Sequence, residues 1–211
     1  MSAQVIPPAG GRCCENGTMN IWYGAHVPDE TELRLCGEVR GTRVLEVGIA
    51  PVPNSIAFAK AGAKAIVLDP DAARIQSLRH AAEAADVRVE CHQGELADLG
   101  FVTSGSVDLA VASHSLGGID DLPRLLRQVH RVLKEGGAFI VAMNHPVAAM
   151  FGSDHVAQFA YGAASRTFGE LYMAFERSNF HVDVLHELAD SRVRDPLTPS
   201  VLVLRARKLG L

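Results

Sequence analysis

The stretch RVLEVGIAPVPNSIAFAKAGAKAIVLD, residues 43–69, carries the pattern on which the fold assignment of the whole chain depends. It begins with a short apolar run through Val47 and continues with a turn rich in Gly and Pro. Residues 54–62 have the composition of a helix, and a second apolar run, residues 65–68, ends in Asp69. This order predicts a strand, a turn, a helix and a strand, which together form a βαβ unit.

The turn and the final acid of this stretch point to a ligand site. In a right-handed βαβ unit the turn lies at the carboxyl edge of the sheet, where backbone amides favour electron-rich groups. An acid at the end of the next strand reaches the same crevice and accepts hydrogen bonds from a ribose diol. The separation of Asp69 from Glu46 is close to the roughly twenty residues expected for such a pair. The stretch therefore predicts a site for a nucleoside-type cofactor.

Residues 43–69 resemble motifs I and II of the class I S-adenosylmethionine-dependent methyltransferases, whose first strand ends in an acid and an E/D-x-G-x-G-x-G turn. Glu46 and Gly48 match the start of this motif, and Asp69 matches the acid that binds the ribose. The resemblance implies S-adenosylmethionine as the cofactor. A dehydrogenase is disfavoured, because its G-x-G-x-x-G pattern requires glycines at 48, 50 and 53, of which only Gly48 is present.

The turn departs from the family pattern at its second and third glycines. These correspond to Ala50 and Val52, with Pro51 and Pro53 interleaved. Glycine permits close approach of the backbone to a ligand, whereas proline removes an N–H donor. Two outcomes are open: the prolines hold a turn that still fits the cofactor, or the added side chains occupy the cofactor's space.

The rest of the chain continues the alternation of apolar runs and capped helices. Further strands are predicted at residues 87–91, 106–112, 138–143, 180–188 and 201–207. Helices are predicted after Asp29, from an N-cap at Asn54 or Ser55, from Pro70, after Asp120 and Asp121, and from Thr167 to Phe175. The prediction is an α/β fold, a three-layer, Rossmann-like, doubly wound sheet that is mostly parallel and ends in an antiparallel hairpin. The resemblance implies the same class I methyltransferase fold.

Further cofactor contacts follow from the resemblance. Tyr23 matches an aromatic residue that closes over the cofactor in many small-molecule methyltransferases, and the alternative is that it packs the N-terminal segment onto the core. Glu95 and Leu96 match a loop that contacts adenine, and the alternative is a surface loop. The complete predicted set is Tyr23, Glu46, Gly48, Ala50, Asp69, Pro70, Glu95, Leu96 and Ser113.

Two histidines are candidates for a general base. His114 follows the fourth predicted strand and His145 the fifth, so both lie at the carboxyl edge where open α/β sheets bind ligands. A neutral imidazole can take a proton from a hydroxyl or an amine near neutral pH. The alternative for each is a histidine that is hydrogen-bonded to loop backbone.

The predicted organisation is a flexible arm at residues 1–19 and a methyltransferase-like domain at residues 20–211, with an insertion at about residues 144–166. In the family the N-terminal arm and this insertion usually set the substrate specificity. The resemblance is to the small-molecule type of the family, which implies a small-molecule methyl acceptor. Met150, Phe151, Phe159 and Tyr161 are candidates for an apolar acceptor pocket, or else they pack the insertion onto the sheet.

Composition limits the other functions. A net charge of −4 gives no general attraction to nucleic acid or to an acidic membrane. The N-terminus lacks the pattern of a secretory signal and no apolar run approaches twenty residues, so we expect a cytoplasmic protein without a membrane segment. The four cysteines lack metal-ligand spacing, so we expect free thiols and no metal. A homodimer is compatible with this pattern.

Three hypotheses follow from the sequence. The first is an S-adenosylmethionine-dependent methyltransferase that acts on a small molecule. The second is a methyltransferase-like protein in which the altered turn has weakened or abolished cofactor binding, and which serves as a binding or assembly module. The third, a nicotinamide-dependent oxidoreductase, is disfavoured by the missing glycines and by the predicted C-terminal strand pair.

Overall fold

The computed structural model describes residues 19–210, apart from residues 153 and 155. Residues 1–18 of the predicted arm lie outside the described residues. The strands are β1 (Arg43–Val47), β2 (Lys64–Asp69), β3 (Val89–Gln93), β4 (Val107–Ser113), β5 (Leu133–Asn144), β6 (Phe180–Leu188) and β7 (Val201–Lys208). The helices are α1 (Glu30–Leu33), α2 (Asn54–Lys60), α3 (Ala72–Ala84), α4 (Leu122–Val132) and α5 (Phe168–Arg177), with 3-10 turns at Leu116–Gly118 and Ala148–Met150.

The strands form one sheet in the order β3-β2-β1-β4-β5-β7-β6. Strands β1 to β5 pair in parallel, whereas β7 pairs antiparallel with both β5 and β6. The predicted fold class is therefore confirmed. Because β2 and β3 lie on one side of β1 and β4 lies on the other, the strand order reverses between β1 and β4. Ligands of open α/β sheets bind at such a switch point.

The sheet is buried on both faces, which explains the apolar runs of its central strands. On one face, Leu45 of β1 belongs to a cluster that includes Leu125 of α4 and Phe175 of α5. On the other face, the preceding residue Val44 belongs to a cluster that includes Phe58 of α2. Successive side chains of a strand point to opposite faces, so one strand serves both layers of helices.

The bounds of two predicted helices need correction. The helix expected from Pro70 begins at Ala72, because the Asp71 side chain accepts a hydrogen bond from the N–H of Ala73 at 2.8 Å and is the N-cap. The helix ahead of β1 is a single turn that ends at Leu33 rather than continuing to the strand.

The N-cap predicted for α2 is also wrong. The capping position is Pro53, which makes no side-chain capping bond. The carboxylate of Glu46 instead accepts hydrogen bonds from the N–H groups of Asn54 at 3.1 Å and Ser55 at 2.8 Å. An acid at the end of β1 thus replaces the local cap and ties the strand to the helix.

The segment between β5 and α5 crosses the carboxyl edge of the sheet. It contains the short turn Ala148–Met150 and an isolated bridge between Phe151 and Ala157. The capping box of α5 ends the segment, since the side chain of Thr167 and that of Glu170 each accept a hydrogen bond from the other's backbone N–H. Within the described part of the chain, no helix combines the length and the apolar character needed to cross a membrane.

Candidate active site

A cavity of about 400 Å³ opens at the carboxyl ends of β1 and β2, and we call it the turn crevice. Five of the nine predicted cofactor contacts line it, namely Gly48, Asp69, Pro70, Glu95 and Leu96. The structure therefore brings together residues from the ends of three strands, as the resemblance to the methyltransferases implies.

Gly48 is tightly packed in the wall of the turn crevice. Its φ angle is +74°, and a Cβ atom at this position would lie 2.4 Å from the Cβ of Ser115. The hydroxyl of Ser115 donates to the carbonyl oxygen of Val47, so the loop after β4 is held against the turn after β1. A side chain at residue 48 would separate these two loops.

The turn after β1 uses its amides internally. The N–H of Gly48 donates to the carbonyl of Leu68 at 2.8 Å, and that of Ala50 donates to the carboxylate of Glu46 at 3.4 Å. Burial raises the pKa of Glu46 against the opposing effect of its hydrogen bonds from the turn. Glu46 and Ala50 do not line the turn crevice; they support the turn from within, and their predicted contact with a cofactor stays a prediction.

The altered side chains of the turn also stay out of the crevice. Ala50 is buried and Val52 is 45% exposed, and neither lines the crevice. Of the residues in the E-x-G-x-G-x-G pattern, only Gly48 belongs to the crevice wall. This arrangement disfavours the hypothesis that the added side chains occupy the cofactor's space.

Asp69 lies at the base of the crevice with its side chain only 1% exposed. Its Oδ2 accepts from the N–H of Ile49 at 2.7 Å, and its Oδ1 accepts from the N–H of Asp71 at 2.9 Å. The Nη1 of Arg74 lies 3.3 Å from Oδ2, and its Nη2 donates to the carbonyl oxygen of Ile49. The acid expected to bind a ribose is thus fully engaged by the protein.

A second cavity, of about 590 Å³, lies under the segment that follows β5, and we call it the insertion cavity. It is lined by His114 and by small residues of the range 162–165. Ile119 and Asp120 line both this cavity and the turn crevice, so the two spaces adjoin. Two ligands, one in each cavity, could therefore approach each other at these residues.

The predicted apolar lining of the acceptor pocket needs correction. Met150, Phe151, Phe159 and Tyr161 are absent from the wall of the insertion cavity, and both Phe159 and Tyr161 are exposed. The hydroxyl of Tyr161 accepts a hydrogen bond from the N–H of Phe168 at 2.9 Å. Apolar wall is supplied instead by side chains that follow or end the strands and by α5, namely Leu116, Ile119, Met143 and Leu171.

His114 faces the insertion cavity, where its side chain also interacts with that of Asn144. Its Nε2 lies 2.8 Å from the carbonyl oxygen of Tyr23. Because a carbonyl only accepts, Nε2 carries the hydrogen of the neutral ring and Nδ1 carries the lone pair. Burial lowers the pKa of His114 from its ordinary value of 6.5, which favours this neutral form. The ring therefore has the protonation state that a base requires.

His145 has a different environment and lies outside both cavities. Its side chain is buried, its Nδ1 accepts from the N–H of Val147 at 3.2 Å, and its Nε2 donates to Glu187 Oε1 at 2.9 Å. The ring also packs edge-on against Phe168. With both nitrogens occupied, the predicted role of a base is not supported, and a histidine that orders the start of the insertion fits better.

Tyr23 and Ser113 are buried away from both cavities. The hydroxyl of Tyr23 donates to Glu30 Oε2 at 2.6 Å, and its ring belongs to the core cluster beside α2. Ser113 Oγ accepts from the side-chain amide of Asn54 at 3.1 Å. In this structure both residues make packing and bonding contacts that hold the edge of the sheet, and their predicted contacts with a cofactor stay predictions.

Several crevice residues escaped the sequence prediction. They are Arg74, Ala97, Ser115, Ile119, Asp120, Asp121 and Arg124. Arg74 carried a usable signal, since it lies in the first turn of the helix that follows the ribose-type acid. Ser115 and Asp120 carried a weaker one, because both follow β4 at the carboxyl edge. No metal centre accompanies them: among the described residues, no group of three or more His, Cys, Asp or Glu side chains is placed to hold an ion.

The chemistry of the turn crevice fits an adenosyl group. Asp69 and Glu95 offer carboxylates, and Leu96 offers an apolar surface beside them. The bare backbone of Gly48 fits close approach of a ligand, because the wall there is formed by the turn itself. Of the two carboxylates, that of Asp69 is paired with the guanidinium of Arg74, which also lines the crevice.

Comparisons with known proteins agree with this geometry. Residues 45–141 match the family model described as a methyltransferase domain. The mitochondrial arginine-hydroxylase NDUFAF5 of Mus musculus is 46% identical over 61 residues, which cover 28% of this chain and 16% of that protein. The chain thus matches only a small part of the length of this relative.

Solved structures share the fold over most of the chain. An S-adenosylmethionine-dependent methyltransferase from Mesorhizobium loti has a TM-score of 0.67 at 22% identity and covers 83% of this chain and 94% of its own. Geranyl diphosphate C-methyltransferase from Streptomyces coelicolor A3(2), in complex with Mg²⁺, geranyl diphosphate and S-adenosyl-L-homocysteine, has a TM-score of 0.67 at 15% identity. It covers 86% of this chain and 79% of its own.

The sheet order and the crevice at its switch point define a protein of the class I methyltransferase fold. The match over residues 45–141 adds sequence evidence, since this part of the chain is similar to the methyltransferase domain. The resemblance found in the motifs around Glu46 and Asp69 is therefore confirmed.

Proposed function

We propose that this chain is an S-adenosylmethionine-dependent methyltransferase that acts on a small-molecule acceptor. The observation that carries the proposal is the pair of adjoining cavities, which meet at Ile119 and Asp120. One cavity has the residues that match the adenosyl site of the family, and the other contains His114. Methyl transfer requires a donor and an acceptor held in line in such a pair of spaces.

The residues of the turn crevice have distinct roles in this proposal. Asp69 accepts hydrogen bonds from the ribose, while Glu95 and Leu96 border the adenine. When bound, the cofactor supplies a methyl group on a sulfonium. The protein contributes alignment and exclusion of water, for which the loop held by Ser115 against the turn is suited.

His114 is the proposed base. Its Nδ1 takes the proton of an acceptor hydroxyl or amine, while the Nε2 hydrogen bond to Tyr23 holds the tautomer and the ring orientation. The lowered pKa keeps the imidazole neutral at neutral pH. An acceptor that is already deprotonated would not need this step.

The size and lining of the insertion cavity support a small acceptor. Its volume of about 590 Å³ falls within the usual range of small-molecule sites. Apolar side chains such as Met143 and Leu171 are combined with the charged groups of Arg166 and Glu170. We therefore propose an acceptor with an apolar body and a polar or charged substituent.

The net charge of −4 disfavours a nucleic-acid acceptor. The cytoplasmic location and the homodimer stay predictions.

The second candidate is a methyltransferase-like binding or assembly module. It is favoured by the engagement of Asp69 with Arg74 and by the internal use of the turn amides. Under this candidate the adenosyl ligand does not bind the wild-type chain.

Calorimetric titration with S-adenosylmethionine and S-adenosylhomocysteine tests the proposal. We expect binding to the wild type, and at least about tenfold weaker binding to Asp69→Asn, since each charge-assisted hydrogen bond is worth about 1.5–3 kcal/mol. Transfer of a labelled methyl group to members of a small-molecule library, read by mass spectrometry, then identifies the acceptor. A folded wild type that binds neither ligand at millimolar concentration would exclude the enzyme and favour the second candidate.

A further inference from the structure

The guanidinium of Arg74 joins the acid at the end of β2 to the turn after β1. Its Nη1 lies 3.3 Å from Asp69 Oδ2, and its Nη2 donates to the carbonyl oxygen of Ile49. We call these two contacts the Arg74 bridge. The bridge is asymmetric in exposure, because the side chain of Asp69 is 1% exposed whereas that of Arg74 is 44% exposed.

The bridge leaves Asp69 little capacity for a ligand. Besides Arg74, the carboxylate already accepts from the N–H groups of Ile49 and Asp71. A ribose diol donates two hydrogen bonds to an acid at this place in the fold. Since almost none of the side chain is accessible, the two hydroxyls cannot reach it while Arg74 stays in position.

The side chain of Arg74 has room to move away from Asp69. The residue lies in the first turn of α3, and its side chain lines the turn crevice beside open solvent. The next residue, Ile75, is buried against Ile49 and Val67, so the helix itself is anchored independently of the arginine. A change of the Arg74 rotamer can therefore remove its contact with Asp69 without moving the helix.

We infer that the Arg74 bridge is the closed state of the cofactor site, and that Arg74 controls the affinity for adenosyl ligands by occupying the ribose acceptor. The inference rests on the proposed function, because that function assigns the ribose to Asp69. Ligand binding replaces the guanidinium by two hydroxyl donors. The apparent affinity is then the intrinsic affinity reduced by the fraction of molecules in which the bridge is open.

Calorimetry with S-adenosylhomocysteine on Arg74→Ala tests the inference without any need for an acceptor. Minor states of proteins are commonly populated at roughly 0.1–10%, so removal of the bridge should tighten binding by about tenfold or more. Arg88→Ala is the matched control, because Arg88 is exposed and lines neither the turn crevice nor the insertion cavity. It should bind as the wild type does.

A second variant separates loss of the bridge from a change in the fold. Arg74→Gln removes the charge but keeps an amide that can donate to the carbonyl of Ile49, and it should also bind more tightly than the wild type. In the double variant Asp69→Asn with Arg74→Ala the gain should disappear, since the gain depends on the uncovered carboxylate. Circular dichroism and thermal unfolding establish that each variant is folded.

The outcomes distinguish this inference from the proposed function. A wild type that binds and an Arg74→Ala variant that binds equally or more weakly would overturn the bridge as a control and keep the enzyme. If the wild type shows no ligand binding and Arg74→Ala binds the ligand, the role of the bridge is retained and the proposed enzyme is overturned. If neither the wild type nor any folded variant binds the ligand at millimolar concentration, both the inference and the proposed function are overturned.

Discussion

Gly48 is the residue at which backbone conformation and packing coincide. Its φ angle of +74° disfavours any side chain, and a Cβ would also collide with the Cβ of Ser115 at 2.4 Å. Gly41 has nearly the same φ angle, +76°, but nothing lies within 4 Å of the place of its Cβ. The two glycines therefore separate the cost of conformation from the cost of collision.

We expect Gly48→Ala to destabilise the protein more than Gly41→Ala does. Both variants carry the conformational cost of roughly 1–2 kcal/mol, and only the first adds an overpacking cost of about 1–3 kcal/mol. Urea denaturation of the two variants measures the difference. Equal losses of stability would show that the loop bearing Ser115 moves away freely. In the double variant Gly48→Ala with Ser115→Gly, part of the lost stability should be recovered.

The burial of His114 predicts how the free energy of unfolding depends on pH. Burial lowers its pKa in the folded protein from the ordinary value of 6.5. Between the folded and the ordinary value the unfolded chain binds more protons, so this group stabilises the fold fully above pH 6.5 and less as the pH falls below it. In His114→Gln that part of the pH dependence should vanish.

Urea denaturation of the wild type and of His114→Gln on either side of pH 6.5 checks this expectation. His181→Gln, at an exposed position, is the control for loss of a histidine as such. A difference between wild type and His114→Gln that does not change with pH would contradict the buried neutral ring. It would also weaken the case for His114 as the base.

At the scale of elements, β1 and α2 are joined by one side chain. Glu46 accepts hydrogen bonds from the N–H groups of Ala50, Asn54 and Ser55, and no side chain caps the helix at Pro53. The first turn of α2 thus depends on an acid that lies at the end of the preceding strand. The arrangement also keeps the turn in the shape that forms one wall of the crevice.

Glu46→Gln should destabilise the protein by about 1–3 kcal/mol, since the amide has one acceptor oxygen and its NH₂ group faces backbone donors. Hydrogen exchange should rise at the amides of Asn54 and Ser55 more than elsewhere in the sheet. The exposed Glu83 of α3 provides the control Glu83→Gln. Unchanged exchange at the start of α2 would show that the helix holds without Glu46.

At the scale of the whole molecule, the reversal of strand order between β1 and β4 determines where chemistry can occur. The turn crevice lies on the β2 side of this point, and the insertion cavity lies on the β5 side. The loop after β4 borders both. A single loop with His114 and Ser115 therefore connects the proposed base to the wall of the proposed cofactor site.

The succession of strands and helices along the chain and the general place of the site could be predicted from the sequence because both depend on local patterns. Apolar runs, turn residues and helix caps along residues 43–69 define a βαβ unit whatever surrounds it. Gly48, Asp69 and Leu96 lie at strand ends, so the topology alone brings them to one edge. The same reasoning began α3 at Pro70 instead of Ala72, since it overlooked the capping side chain of Asp71.

The sequence by itself thus determined the class I methyltransferase fold and five residues of the crevice wall. Only the tertiary structure decided which acids and imidazoles are accessible, because accessibility depends on partners that are distant along the chain. His114 meets Tyr23 across 91 positions, and His145 meets Glu187 across 42. Arg74 is near Asp69 in sequence, yet its contact depends on the rotamer of a long side chain, which no local pattern specifies.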